Sequence, residues 1–249
     1  MKTITSRQNP WFKRIREAIR EHGQEIVIEG PKQVADAIAS GWSPIAVIER
    51  AGRPEELSTT SRGPRAPQCL LFTPEIFDAI AETKTSQGVI ALFERPRGAL
   101  AEMAARRDTI VVALDGVQDP GNVGTIVRLA AAFDAAGVAL LPGCADAFGP
   151  KAIRASAGAI LTVPVVEVTT AELVRAGLPL FMAEQGAAST RPPARGAILV
   201  FGSEGAGVSA GLRLVATPVA VPMSPRMESL NVATAAAVLL AQSYGARIR

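Results

Sequence analysis

Short unbroken apolar runs alternate along this chain with stretches in which apolar residues recur every third or fourth position. Runs of the first kind suit strands buried on both faces, and the second kind suits helices that cover them. In VVALDGVQDPGNVGTIVRLAAAF the apolar run Val111 to Leu114 gives way to Asp115-Gly116 and Pro120-Gly121-Asn122, which carry turn chemistry. The pattern predicts a strand, a loop and a helix, the helix starting near Asn122 because asparagine is a favoured N-cap. Ile126, Ala130 and Phe133 make its apolar face, whereas Arg128 shares a side with Gly124 and Thr125. Helical side chains lean toward their own N-terminus, so the Arg128 guanidinium is expected over the loop that holds Asn122.

The alternation continues through GVALL, PKAIRAS, LTVPVVEV, TAELVRAG, PLFMAE, AILVF, VAVPM and the alanine-rich LNVATAAAVLLAQSYG. It predicts a three-layer α/β domain with a parallel sheet over residues 108–249. Residues 1–96 read as a separate, smaller α/β domain. Its elements are the strands EIVIEG, IAVIE, CLLF and GVIALFE, the helix PKQVADAIASG between Pro31 and Gly41, and the helix PEIFDAIAET. Residues 51–68, rich in Pro, Gly, Ser and Arg, are expected to form an exposed loop, and residues 97–107 a linker.

Composition narrows the chemistry more than the fold. The 249 residues are 48% hydrophobic and 20% charged, enough for a sizeable core. No stretch approaches the roughly 18 consecutive apolar residues of a membrane span, and the N-terminus lacks the apolar core of a signal peptide, so a cytoplasmic protein is expected. Cys69 and Cys144 have no ligand spacing, and His22 is the sole histidine. A metal site, a Ser-His-Asp triad and a Cys-His pair are therefore not expected. Residues 1–20 hold Lys2, Arg7, Lys13, Arg14, Arg16 and Arg20 against Glu17 alone. Such a helix can track a phosphate backbone, or it can be no more than a solvated face.

Two further loops follow apolar runs. In FGSEGAGVS, after AILVF, the glycines 202, 205 and 207 allow close backbone approach to a ligand and turn N–H groups toward it, and Glu204 is an acid among apolar neighbours. Gly205, Gly207 and Ala210 also satisfy G-x-G-x-x-A, which keeps a nicotinamide-dependent oxidoreductase as an alternative. That fingerprint normally opens the first β-α-β unit, whereas here it stands late and no continuous helix pattern follows before Pro218. In VPMSPRMESLNVATAAA, Ser229 and Asn231 are both candidate N-caps of the last helix. Ligands of open α/β sheets bind outside the carboxyl ends of the strands, so the three loops can converge on one pocket.

DGVQDPGNVGTIVRLAAAF, GSEGAG and VPMSPRMESLNVATAAA resemble, in order and spacing, the three motifs of the SpoU class of the SPOUT superfamily, RNA ribose 2′-O-methyltransferases that use S-adenosylmethionine. The resemblance spans residues 108–249. ITSRQNPWFKRI, IVIEGPKQVADAIASG and TKTSQGVIAL resemble the RNA substrate-binding domain often joined to that class. The resemblance implies a sheet tied in a deep trefoil knot, a homodimer, and an RNA substrate, with ribosomal RNA favoured over transfer RNA. Gly202, Val221 and Leu230 are implied to contact the cofactor, and Asn122, Arg128, Glu204, Ser229 and Asn231 to surround the acceptor ribose. Arg7, Lys13, Arg14, Lys151 and Arg154 are the candidate RNA contacts. Two positions depart from the family pattern: Pro225 stands where glycine is frequent, and Asp134 where the first helix usually ends in glycine. A guanidinium stays protonated, so Arg128 suits a phosphate or a developing oxyanion rather than proton removal. Phosphate, water and Glu204 remain open as proton acceptors. A catalytically silent RNA-binding or ribosome-assembly factor on the same fold is a second alternative.

Overall fold

A computed structural model describes residues 3–21, 23–52, 67–83, 85–188, 191–224 and 226–248. The chain divides into two compact units, Met1–Pro96 with Phe148–Pro150, and Arg97–Ala147 with Lys151–Arg249.

The first unit contains β1 (Thr3–Ile4), α1 (Pro10–Glu21), β2 (Glu25–Glu29), α2 (Pro31–Ala39), β3 (Pro44–Arg50), β4 (Gln68–Phe72), α3 (Pro74–Asp78) and β5 (Val89–Glu94). Its sheet runs β1-β4-β3-β5-β2, with β5 antiparallel to both β3 and β2 and the remaining pairs parallel. The Asn9 side chain accepts the Trp11 N–H at 2.9 Å and starts α1, whose Phe12, Ile15 and Ala18 are buried. Phe72, Phe77, Ile48 and Ile90 fill the same core. That inward stripe leaves Lys13, Arg14, Arg16 and Arg20 exposed. Most of the expected loop 51–68, residues 53–66, lies outside the described residues.

The second unit follows the predicted alternation. It comprises α4 (Leu100–Ala105), β6 (Ile110–Asp115), α5 (Pro120–Ala132), β7 (Gly137–Leu140), α6 (Pro150–Ser156), β8 (Val165–Glu167), α7 (Thr170–Arg175), β9 (Leu180–Ala183), β10 (Ala197–Gly202), α8 (Ala210–Arg213), β11 (Thr217–Val219) and α9 (Val232–Arg247). The six strands are all parallel in the order β11-β9-β10-β6-β7-β8. On one face, Val111, Ala113, Ile198 and Val200 pack with Met103 of α4, Leu173 of α7 and Leu212 of α8. Strand residues of the other parity are also buried, and α5 packs on β7 while α9 packs on β10 and α5. Helices on both faces make the three layers. The segment expected as a linker is ordered differently: α4 puts Met103 and Ala104 into this core. Among the described residues no helix is long and apolar enough to cross a membrane.

Strand order fixes where a ligand can enter. From β6 the chain builds outward to β7 and β8, then returns to β9 and β10 on the other side of β6. The chain leaves β6 toward β7 and leaves β10 toward β11, in opposite directions, and in open α/β sheets the carboxyl edge at such a reversal is where ligands bind.

Candidate functional site

The loop after β6 begins with Asp115, buried and accepting the Ser209 N–H at 2.7 Å, and with Gly116 at φ 70°. Asp119, not Asn122, caps α5: its carboxylate accepts the Asn122 N–H at 2.9 Å, and Lys151 Nζ lies 2.7 Å from the other oxygen. Lys151, and then the Asn122 amide, hold the Asp119 carboxyl below the ordinary aspartate range. This corrects the expected helix start and frees the Asn122 side chain for other partners. Gly124 is needed because a Cβ there would stand 2.2 Å from the Ala152 carbonyl oxygen of α6.

The loop after β10 folds back on its own strand. Ser203 and Gly207 exchange backbone hydrogen bonds of 3.1 and 3.0 Å, and the Ala206 N–H reaches Ser203 Oγ at 3.2 Å. A Cβ on Gly202 would meet the Gly207 carbonyl carbon at 2.1 Å, and Gly207 has φ 68°. The Ala206 and Gly207 amides are thus used within the turn, while Gly202 and Gly207 also line a cavity at this edge. Only the short α8 follows, so no long helix N-terminus waits for a pyrophosphate and the dinucleotide reading loses its support.

Asn231 is the cap of α9, its Oδ1 accepting from Ala233 N at 2.9 Å and Thr234 N at 3.3 Å. With that oxygen committed, the Asn231 amide nitrogen points away from the helix and donates to Asn122 Oδ1 at 3.1 Å. Asn122 Nδ2 in turn donates to Glu204 Oε1 at 2.6 Å. The chain of amides is polar in one sense only, from the helix cap to the carboxylate, and joins three loops far apart in sequence.

Beside it lies a cavity of about 350 Å³ at the carboxyl ends of β9, β10 and β11. Phe201, Gly202, Val219, Val221 and Leu230 give it apolar walls, and Glu204, Ser229 and Asn231 stand on its border. Of the expected site residues, Gly202, Val221, Leu230, Glu204, Ser229 and Asn231 line this cavity, and Asn122 joins it through its two hydrogen bonds. Arg128 is exposed on α5 and does not line it. Pro225 lies outside the described residues. Asp134 takes the left-handed conformation, φ 49°, where glycine was the expected type, and its carboxylate accepts from Arg247 at 2.8 Å.

Several of the expected RNA contacts already have partners, Arg14 and Lys151 among them. Arg14 is paired with Glu25, which raises its pKa, and Lys151 is paired with Asp119. Arg7, Lys13 and Arg154 are exposed. Sequence reasoning missed Glu184, Gln185 and Gly186, which also line the cavity. The signal was present, since PLFMAE ends a strand at the same edge.

The SpoU rRNA Methylase family model matches residues 109–241, and the MRM3-like substrate binding domain model matches residues 13–91. A Bacillus subtilis relative, 23S rRNA (guanosine(2553)-2′-O)-methyltransferase RlmP, is 34% identical over 96% of this chain and 98% of its own. A Streptomyces viridochromogenes 23S rRNA (uridine(2479)-2′-O)-methyltransferase is 29% identical over 92% of this chain and 85% of its own. Among solved structures, the AdoMet-bound rRNA methyltransferase from Sinorhizobium meliloti superposes with a TM-score of 0.86 at 28% identity, covering 98% of both chains. The SpoU methyltransferase AviRb from Streptomyces viridochromogenes in complex with AdoMet gives 0.82 at 25% identity, covering 97% of this chain and 99% of that one.

Proposed function

This chain belongs to the SpoU rRNA methylase family, and on that premise we propose that it methylates a ribose 2′-hydroxyl of ribosomal RNA with S-adenosylmethionine. The observation that carries the reading is the apolar cavity bordered by the hydrogen-bonded Asn231–Asn122–Glu204 chain. The cavity fits the cofactor: about 350 Å³ suits an adenosine with a short chain, and Val219, Val221 and Leu230 offer apolar walls to the base. When bound, S-adenosylmethionine supplies a methyl group activated on a positive sulfur.

The chain's own residues then have to hold the ribose in line with that methyl group, which is mainly positioning work. Asn122, Ser229 and Asn231 offer amide and hydroxyl groups to the ribose, and the polar order of the amide chain keeps Asn122 in one orientation. Arg128, exposed and permanently protonated, is assigned to the neighbouring phosphate or to charge growing on the ribose oxygen. Gly202, Val221 and Leu230 hold the cofactor.

The domains are assigned as 1–96 for RNA binding and 108–249 for catalysis, with 97–107 joining them in sequence and packing through α4 into the core of the second. The exposed basic face of α1, with Lys13, Arg16 and Arg20, and Arg7 before it, supports the first role. We assign the family's trefoil knot to the second unit, a homodimer to the assembly and the cytoplasm as its place. The outer side of α9 supports the dimer: Ala237, Ala241 and Gly245 line a groove there, and Gln242 Oε1 is buried with no hydrogen-bond partner.

The test is incorporation of labelled methyl groups into ribosomal RNA from cells lacking the gene. A 2′-O-methyl group at one mapped nucleotide is expected. Cofactor binding without any transfer to ribosomal or transfer RNA would favour the silent RNA-binding factor instead.

A further inference from the structure

Glu184 borders the cavity directly after β9. Its backbone is fixed to the wall, since its N–H donates to the Val219 carbonyl at 3.0 Å. Its side chain is fixed by Arg213, whose Nη1 donates to Glu184 Oε1. The same guanidinium reaches a second loop: Arg213 Nε donates to the Val208 carbonyl at 2.7 Å, and a Cβ on Gly207 would stand 2.9 Å from Arg213 Nη2. Gly207 thus leaves room for the guanidinium as well as taking φ 68°. One side chain braces the loops after β9 and β10, both of which line the cavity.

An exposed ion pair contributes little by itself. This pair differs in geometry: only 30% of the Glu184 side chain is exposed, and the planar fork of Arg213 is held at both a carboxylate and a carbonyl. Glu184 Oε1 faces the arginine, which leaves Oε2 as an acceptor on the side of the cavity that Val219 and Val221 line. The other carboxylates at this edge are engaged elsewhere: Glu204 with Asn122, Asp119 with Lys151 and Asp115 with the Ser209 N–H. A ligand whose base lies on Val219 and Val221 brings its ribose, the group bonded directly to the base, beside Glu184. A ribose diol is a pair of donors, and a carboxylate is the acceptor that suits it.

We infer that Glu184 binds the ribose hydroxyls of the S-adenosyl cofactor, and that Arg213 is a positioning residue that aims this carboxylate and ties the two cofactor loops together. The inference rests on the proposed S-adenosylmethionine reading.

The test is calorimetric binding of S-adenosylhomocysteine, of 5′-methylthioadenosine, and of the 2′,3′-dideoxy form of the latter. The proteins are wild type, Glu184→Gln, Arg213→Ala and the double variant, all in the full-length chain. Wild type is expected to prefer methylthioadenosine over its dideoxy form by about 10- to 100-fold, as for hydrogen bonds to a charged group. Glu184→Gln should lose most of that preference. Arg213→Ala should weaken both adenosine ligands by about tenfold, and the double variant should lose clearly less than the product of the two single losses, because part of the arginine's effect passes through the glutamate. An undiminished dideoxy preference in Glu184→Gln overturns the inference. So does additive loss in the double variant, or a Glu184→Gln defect confined to S-adenosylhomocysteine, which would place the amino-acid end at Glu184. If Arg213→Ala does not fold, the Glu184→Gln preference decides. Failure of wild type to bind any of the three ligands would instead remove the cofactor reading.

Discussion

Asn231→Asp separates the two duties of one side chain. In the native protein Asn231 Oδ1 caps α9 through two N–H groups, while Nδ2 donates to Asn122 Oδ1 at 3.1 Å. Aspartate caps a helix as well as asparagine does, and its charge adds about 0.3–1 kcal/mol at a helix N-terminus. Stability should therefore stay within about 0.5 kcal/mol of wild type or rise slightly, whereas Asn231→Ala should lose about 1 kcal/mol for the cap alone. The donor to Asn122, however, becomes an oxygen facing an oxygen. Asn122 can relieve that contact only by turning its amide, which then points its own oxygen at the Glu204 carboxylate, now 2.6 Å from its nitrogen. Both contacts are exposed, so in the free protein the misdirected group turns to water and stability is spared; once RNA closes over the site, either arrangement leaves one polar group misdirected, at a cost of about 1–3 kcal/mol. Carried into positioning of the ribose, this is roughly a 10- to 100-fold loss of rate. Urea unfolding and single-turnover methylation of the mapped RNA measure the two quantities side by side, with calorimetry to follow cofactor binding. An Asn231→Asp enzyme that turns over within threefold of wild type would refute the one-way amide chain. A stability loss equal to that of Asn231→Ala would refute the separation of duties.

Arg128→Ala should leave stability within about 0.5 kcal/mol, since the side chain is exposed, yet lower single-turnover methylation by about a hundredfold with cofactor affinity little changed. Arg128→Lys should recover only part of the rate because it lacks the planar fork, and full activity of the alanine variant would remove Arg128 from the site. Gly202→Ala forces a Cβ into the backbone of Gly207 and should cost about 3 kcal/mol in urea unfolding together with cofactor binding; a stable, cofactor-binding variant would contradict the fold-back of that loop. The Asp119 carboxyl is held below its ordinary value by Lys151, so its contribution is present above the ordinary aspartate pKa and disappears as pH falls through the lower folded value. The stability gap between wild type and Asp119→Asn should accordingly be constant near neutral pH and close only in acid, and a gap that closes above pH 6 would assign it to another group.

The elements of the second unit were legible in the sequence because their causes are local. Apolar runs such as Ile110–Leu114 and Ala197–Phe201 can satisfy their surfaces only in a covered parallel sheet, and the stripe through Ile126 and Ala130 can face only that sheet. The motif residues Gly202, Val221, Leu230, Glu204, Ser229 and Asn231 were legible for a related reason: each ends a strand or lies between a strand and the next helix, and parallel strands share one carboxyl edge. Choices between equally good local options were settled only by distant partners. Asp119 and Asn122 are both competent caps, and Asp119 takes the role with Lys151 from α6 beside it, which releases Asn122 to link Glu204 with Asn231. Arg14 and Lys151 read as free cations in sequence because Glu25 and Asp119 become their partners only on folding. The brace from Arg213 to Glu184 was invisible for the same reason: charge and spacing are written along the chain, but the distance between two loops is set by the sheet between them.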